Sequence, residues 1–497
     1  MADQHMAALL GSAGNPYVHT PNLDRLAASG VRFANAYAQN PICTPSRVSL
    51  LSGQYPHNHG YYGLSGPAPA RLPNFLGHFR AQGYRTAAIG KLHLPDRPQN
   101  WIKDDVDFFG ECYRTIDGRP GESIYFDYLA RLGIRHLEDS RLLPETGGMS
   151  AHDARPSRMP FEHCVEMWIA QRANEFISQS HADGRPFCME VSFPRPHHQL
   201  TPDQRFWDLY PENLPLPETL RADCSHRPPH FREMVDKLKE NKWLFEPKEF
   251  EAGCRRVWRG YLACISQVDH AVGVVLDHLD SSGLSENTIV VYGADHGAYH
   301  GTFGVPEKAP GICSDAVCKV PFVWRIPALA RVGVTSAALV ENVDLAPTLT
   351  ALAGLPAMET ADGKDISRLI FGTADSCRSC AVTENPWSKS LRWGSWRMVH
   401  YQPETFPGQD VGELYHVDND PNETDNLYHN PAHQSVVSEG RRMLLEWLVR
   451  TTRTVTVHPS IGDPAPGDHH YEIAGDGKET NRLGAGARAR QGDLNYL

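Results

Sequence analysis

Cys43-Thr44-Pro45-Ser46-Arg47 gathers a thiol, two hydroxyls and a guanidinium ahead of an apolar run that ends in Leu51-Ser52-Gly53. Pro45 suits the first turn of a helix, where its missing N–H would have no intrahelical partner anyway. Cys43 then lies just ahead of a helix N-terminus, where exposed amides and the helix dipole favour an anion. A buried cysteine beside an ordinary Pro-Ser turn would share this local sequence. Further polar groups follow short apolar runs. Asp295-His296-Gly297 comes after Thr288–Tyr292, Gly90-Lys91-Leu92-His93 after Arg85–Ile89, and Arg195-Pro196-His197-His198 after Phe187–Phe193. An aspartate next to a histidine can offer an oxygen and a nitrogen to a metal ion, whereas a lone lysine is usually a solvated surface charge. Their recurrence at strand ends points to one site, because open α/β sheets bind ligands beyond the carboxyl ends of their strands.

The elements that must position these residues read as short β-rich runs alternating with helical patterns, the signature of a parallel sheet covered by helices. Strands are expected over Arg85–Ile89, Phe187–Phe193, Thr288–Tyr292 and Pro321–Trp324. Helices are expected over Asn22–Ala28, Ser46–Ser52, Phe161–Gln179 and Arg255–Leu279. Apolar residues recur at three- and four-residue spacing in the last two. Val343–Leu355 reads as a further helix, closed by Gly354 and Pro356. Beyond about Asp375 the texture changes. Ser379–Thr383, Leu391–Tyr401 and Glu413–Val417 read as strands of an antiparallel sheet, followed by a helix over Gln434–Val449. The expected organisation is an α/β domain over 1–375, a smaller α+β domain over 376–457 and a tail over 458–497. By composition the tail is either mobile or tied down by a partner subunit of a homo-oligomer.

Composition narrows the class. With 41 % hydrophobic and 22 % charged residues the 497-residue chain has the make-up of a globular protein. Its 41 Gly and 38 Pro fall short of the ~25–30 % that marks low-complexity chains. A net charge of −11 without a Lys/Arg run argues against a nucleic-acid partner or a polybasic membrane contact. No apolar stretch approaches the ~18–20 residues that span a bilayer. Met1-Ala2-Asp3-Gln4-His5 has neither the basic start nor the apolar core of a signal peptide, so the default expectation is a cytoplasmic protein. Eleven cysteines are too few for a disulfide scaffold. Cys377-Arg378-Ser379-Cys380 lacks the second CxxC of a zinc ribbon; a redox dithiol or two buried small hydrophobes would both fit it.

Taken together, Cys43-Thr44-Pro45-Ser46-Arg47 and Leu51-Ser52-Gly53 resemble the signature of type I sulfatases of the alkaline phosphatase superfamily. Ser52 stands where that family usually has Thr. Upstream, Thr20-Pro21-Asn22-Leu23-Asp24-Arg25-Leu26-Ala27 and Gly30-Val31-Arg32-Phe33 resemble the family's lead-in, and the resemblance extends from Asp3 to about Leu427. It implies an alkaline-phosphatase-like fold, a large mixed and mostly parallel sheet sandwiched by helices. It also implies that a formylglycine-generating maturation enzyme oxidises Cys43 to Cα-formylglycine, whose hydrated aldehyde is the nucleophile. A gem-diol suits sulfate ester cleavage. One hydroxyl takes the sulfuryl group, and deprotonation of the other expels sulfate, so one hard step becomes two easier ones.

The resemblance also assigns roles. Asp295 and His296 match the family's metal-binding pair, and Asp3-Gln4 its acidic pair after the first strand. This makes Asp3 a ligand, Gln4 a carbonyl ligand, and an oxygen of modified Cys43 the completion of the inner shell. The family carries a buried strand ahead of this aspartate, so that strand is expected either upstream of Met1 or lost. A hard, oxygen-rich site favours Ca²⁺, with Mg²⁺ or Mn²⁺ as alternatives. Lys91 and Lys308 match sulfate-binding lysines that would stabilise charge on the sulfuryl oxygens. Arg47 would hold the hydrate with its fixed fork of donors. His93 would remove the gem-diol proton, and His197 or Lys308 would protonate the leaving oxygen. Glu413-Leu414-Tyr415-His416-Val417 and Asp420-Pro421-Asn422-Glu423-Thr424-Asp425-Asn426-Leu427 also resemble family stretches, read here as a strand, a turn and the start of a helix. The expected activity is hydrolysis of small-molecule sulfate esters. Phosphonate monoester or phosphodiester hydrolysis is the alternative within the superfamily, and a non-catalytic anion-binding relative the alternative outside catalysis. Residues 111–160 and 202–251 are expected to build the pocket rim.

Overall fold

The computed structural model describes residues 1–64, 72–97, 99–113, 123–138, 154–240, 249–305, 308, 312–327, 329 and 331–453. The tail expected over 458–497 and parts of both rim segments lie outside these. The central sheet consists of two four-stranded halves. In the first, Ala2–Asp3, Phe187–Pro196, Arg85–Gly90 and Phe108–Glu111 lie side by side, all parallel. In the second, Val334–Glu341 pairs parallel with Val31–Tyr37, while Phe322–Arg325 runs antiparallel between Val31–Tyr37 and Val290–Gly293. A parallel bridge from Ala2 to Ala294 joins the halves. The sheet is therefore mixed and mostly parallel.

Alternation along the strands splits the core in two, as the two-residue period of a strand requires. Ala88, Phe322 and Trp324 pack on one face with Val48 and Leu51 of the helix Cys43–Ser52, Phe75 and Phe79 of Phe75–Ala81, and Leu345 of Leu345–Leu352. Ala87, Ile89 and Val323 pack on the other with Leu23 and Leu26 of Pro21–Ala28, Trp168 and Ile169 of Val165–Ala182, and Val268 and Ala271 of Phe250–Ser281. Among the described residues, no helix is long and apolar enough to cross a membrane.

A second, antiparallel sheet comprises Ala381–Glu384, Ser388–Trp393, Trp396–Tyr401 and Gly412–His416, covered by the helix Gln434–Thr451. Its apolar layer joins Val382, Leu391, Met398 and Leu414 to Val437, Leu444 and Trp447. The single strand expected over Leu391–Tyr401 is two strands. The chain reverses at Gly394 and Ser395, with Trp393 opposite Trp396 and Gly394 at φ 45°. A two-residue hairpin needs positive φ, and glycine supplies it without a steric penalty. The strands Val31–Tyr37 and Val334–Glu341 carry no expectation from the sequence, and Thr288–Tyr292 shifts to Val290–Gly293.

Candidate active site

The parallel strands deliver their C-terminal ends to one edge of the sheet. Ala2–Asp3 ends in Asp3, Arg85–Gly90 leads into Lys91, Phe187–Pro196 leads into His197, and Val290–Gly293 leads into Asp295 and His296. Gly90 makes the first turn-off: its φ is 109°, and a Cβ there would meet the Ser192 carbonyl oxygen at 1.9 Å. Onto this edge runs the helix Cys43–Ser52, all of whose residues are buried. Cys43 is its first residue, with Ile42 as the cap, so the helix starts ahead of the Ser46 expected from the sequence. The reason is local: Ser46 N–H already reaches the Ile42 carbonyl at 3.1 Å, and Pro45 needs no donor partner there.

The Cys43 Sγ lies 3.1 Å from His296 Nε2 and 3.8 Å from Asp3 Oδ1. Arg47, one turn on, is wholly buried. Its Nε donates to Asp295 Oδ2 at 2.8 Å, its Nη2 to Asp3 Oδ2 at 3.0 Å, and its Nη1 to the Lys91 carbonyl at 2.5 Å and Ser192 Oγ at 2.9 Å. Those donors are thus turned onto the carboxylates and carbonyls of the site. A buried guanidinium has to satisfy its charge and its N–H groups nearby. Lys91 Nζ lies 2.7 Å from Asp3 Oδ2. Burial alone would raise the Asp3 pKa; Lys91, His197 and Arg47 hold it well below the usual carboxylate range.

His197 and Lys308 lie within electrostatic reach of the cluster. Burial pushes the His197 pKa well below normal, and His198, Lys91 and Lys308 add to it. Lys308 is 8 % exposed and its charge also acts on His296. The His197 loop is clamped by Arg195, whose Nη1 donates to both Glu166 oxygens at 2.8 Å and whose Nη2 donates to Thr201 Oγ1 at 2.9 Å. His93 sits beyond Lys91 with its backbone at φ 47° and its amide donating to Glu111 Oε2 at 3.3 Å. Gln4 enters through its main chain: its amide donates to Asp295 Oδ1 at 3.0 Å, and its carbonyl accepts from Tyr261 Oη at 2.6 Å.

Asp3, Cys43, Asp295 and His296 form a buried cluster whose potential ligand atoms lie within 4.8 Å of one another. The His296 ring fits a ligand. With the proton on Nδ1, facing the Gly297 carbonyl at 2.7 Å, the lone pair on Nε2 points into the cluster. Burial alone would lower the His296 pKa, but Asp295 and Cys43 outweigh it and raise it. Two carboxylates and an imidazole suit a divalent cation. Sequence reasoning overlooked the supports of this cluster. Ser46 Oγ donates to the Asp295 carbonyl at 2.5 Å, Ser192 bridges Arg47 and the Lys91 carbonyl, and Asn342 Nδ2 donates to the Ala294 carbonyl at 3.0 Å. Ser46 stands inside the cysteine motif and was legible there. Ser192 and Asn342 carry no local signal.

Residues 1–355 match the family model described as Sulfatase, and residues 312–449 match N-sulphoglucosamine sulphohydrolase, C-terminal. The chain belongs to the sulfatase family. This sulfatase is 29 % identical over 446 residues to an ulvan-active sulfatase of Formosa agariphila, covering 88 % of this chain and 78 % of that one. It is 28 % identical over 448 residues to a choline-sulfatase of Rhizobium meliloti, covering 87 % and 82 %. A protein solved in complex with its substrate D-glucosamine-2-N,6-O-disulfate shares the fold at a TM-score of 0.72 and 21 % identity, over 91 % of this chain and 97 % of that one. A phosphonate monoester hydrolase of Agrobacterium radiobacter shares it at 0.75 and 19 %, over 91 % and 95 %. The sulfatase is a sulfuric ester hydrolase with an alkaline-phosphatase-like fold, and its family uses a metal and formylglycine.

Proposed function

We propose that this sulfatase cleaves small-molecule sulfate esters with Cys43, matured to formylglycine, as the nucleophile precursor and Ca²⁺ held by Asp3, Asp295 and His296. The observation that carries the reading is the position of Cys43 Sγ, 3.1 Å from His296 Nε2 and inside the only four-donor cluster among the described residues. Formylglycine supplies a gem-diol with one hydroxyl to attack sulfur and a second to expel sulfate, and the cation supplies charge to the oxygens that become more negative. The chain's own residues do the rest. Arg47 holds Asp3 and Asp295 in place as ligands. Lys91 and Lys308 face the sulfuryl oxygens and oppose their growing charge. His93 takes the proton of the second hydroxyl, and of the two candidates for protonating the leaving oxygen Lys308 is favoured over His197, whose pKa burial pushes well below normal. The maturation enzyme that oxidises Cys43 is the required partner.

The test is the state of Cys43. Protein made with a formylglycine-generating enzyme carries an aldehyde in the peptide containing Cys43, seen as the mass change from thiol to aldehyde and by reaction with a hydrazine probe. Protein made without that enzyme keeps the thiol and is nearly inactive with the same fold. Cys43→Ser accepts one sulfuryl group and stalls as the ester, since it lacks the second hydroxyl. Full multiple turnover by Cys43→Ala or by unmodified thiol protein would overturn the mechanism.

A further inference from the structure

Glu423 takes no part in the chemistry above, yet it is buried to 2 % exposure with its backbone at φ 56°. A residue with a side chain keeps that conformation only where its surroundings hold it. Its Oε1 and Oε2 accept the Asp315 amide at 3.1 and 3.3 Å, and Oε1 also accepts from Arg397 Nε. Arg397 is itself wholly buried and donates through Nη1 to the Cys313 carbonyl at 2.9 Å. The segment from Cys313 to Cys318 is therefore gripped from the antiparallel sheet and the turn that follows it. On its other side the Val317 carbonyl accepts the Gly297 amide at 2.7 Å. Gly297 has no room to drift towards it, because a Cβ there would lie 2.1 Å from the Ala316 carbonyl oxygen. The Gly297 carbonyl in turn faces His296 Nδ1 at 2.7 Å, which leaves Nε2 turned to Cys43.

We infer that Glu423 is a positioning residue for the metal centre: through the Asp315 amide and the Val317–Gly297 bond it fixes the orientation of His296. The inference rests on His296 being a metal ligand. Outer partners that orient a ligating histidine govern affinity because they fix its tautomer and the direction of its lone pair.

Two variants test this. Glu423→Asp keeps the carboxylate but draws it back by one methylene from the Asp315 amide. Glu423→Gln combined with Arg397→Gln removes both charges, so neither is left alone in the interior. Ca²⁺ alone is titrated calorimetrically into chelator-stripped, folded protein, and kinetics are measured on matured protein. Each variant binds Ca²⁺ ~10–100-fold more weakly than the parent. Each also has a lowered kcat, with KM within about two-fold. A purely structural role would lower the melting temperature and leave the Ca²⁺ affinity of the folded protein unmoved. Parental Ca²⁺ affinity and kcat in either folded variant overturns the inference. Asp295→Ala is the companion control: if it also binds Ca²⁺ like the parent, the reading of the metal centre itself fails.

Discussion

Arg47 carries its charge inside the protein because Asp295 and Asp3 sit on its Nε and Nη2 at 2.8 and 3.0 Å. Burial alone would lower its pKa; the two carboxylates and Cys43 raise it instead. Such a pair contributes little net stability, since desolvation consumes most of the Coulombic gain. Its value is geometric, because five fixed N–H groups on one residue hold two carboxylates, a carbonyl and Ser192 in register. On the proposed reading Lys91 and Lys308 differ in kind, as sources of positive charge for the sulfuryl oxygens; in the structure Lys91 Nζ pairs with Asp3 Oδ2 at 2.7 Å. Lys91→Ala and Lys308→Ala should each lower kcat/KM by ~10²–10³-fold, about 2.7–4 kcal/mol of transition-state stabilisation. Steady-state kinetics on matured protein, at matched formylglycine content, check this. A variant within a few-fold of the parent would place that lysine outside the site.

The helix Cys43–Ser52 depends on its neighbours for more than packing. Ser49 Oγ meets His59 Nε2 at 2.9 Å, and the turn Pro56–His59 that carries His59 is pinned by Glu384 at the end of the strand Ala381–Glu384. Glu384 accepts the His57 amide at 3.0 Å and His57 Nδ1 at 2.7 Å, and it pairs with Lys389. Burial would raise the Glu384 pKa, but the His57 hydrogen bond and the Lys389 ammonium outweigh it and lower it to about 2. A depressed carboxylate binds fewer protons in the folded than in the unfolded state. Its stabilisation is therefore complete above an unfolded value near 4.5 and is lost as pH falls towards 2. Denaturant unfolding between pH 6 and pH 3 should show stability falling by about 2 kcal/mol from this group, the full loss of about 3 kcal/mol coming only below pH 2. Glu384→Gln should be less stable at pH 6 and should show a flatter pH dependence. An unchanged acid slope in that variant would remove Glu384 from the account.

At the scale of the molecule, the sheet converges its strand ends on one edge, and the C-terminal part closes over the segment behind His296. Two carboxylates, an imidazole and Cys43 meet there only in the folded chain, so the proposed cation would bind the folded state alone. A ligand that binds only the folded state stabilises it by mass action, about 2.7 kcal/mol at one hundred times its Kd. Ca²⁺ at that level should raise the unfolding midpoint, a chelator should reverse the shift, and Asp295→Ala should abolish it. The same melting temperature for the parent with and without Ca²⁺ would count against the site.

The sequence alone carried the fold class, the cysteine motif and most of the polar groups that the fold gathers around Cys43. Cys43 and Arg47 sit in one short motif, and Lys91, His197, Asp295 and His296 each follow an apolar strand pattern that a one-dimensional reading detects. The helix Cys43–Ser52 and the strands at Arg85–Gly90 and Phe187–Pro196 were legible for the same reason, since their patterns are local. Val334–Glu341 was not, because it is an edge strand only half buried, with weak alternation that pairing with Val31–Tyr37 decides. Nor could spacing tell where Arg47 aims its donors. Asp3 and Asp295 lie 44 and 248 residues from it, and only the folded sheet brings them to its guanidinium. Glu423 is the extreme case. Its motif was visible, but its reach to Asp315, and from there to Gly297 and His296, exists only because the antiparallel sheet docks on the catalytic domain. Local patterns reveal what a residue can do chemically and which element carries it. Which charges meet in the low-dielectric interior, and which bond orients which ligand, is decided by contacts between elements far apart in the chain.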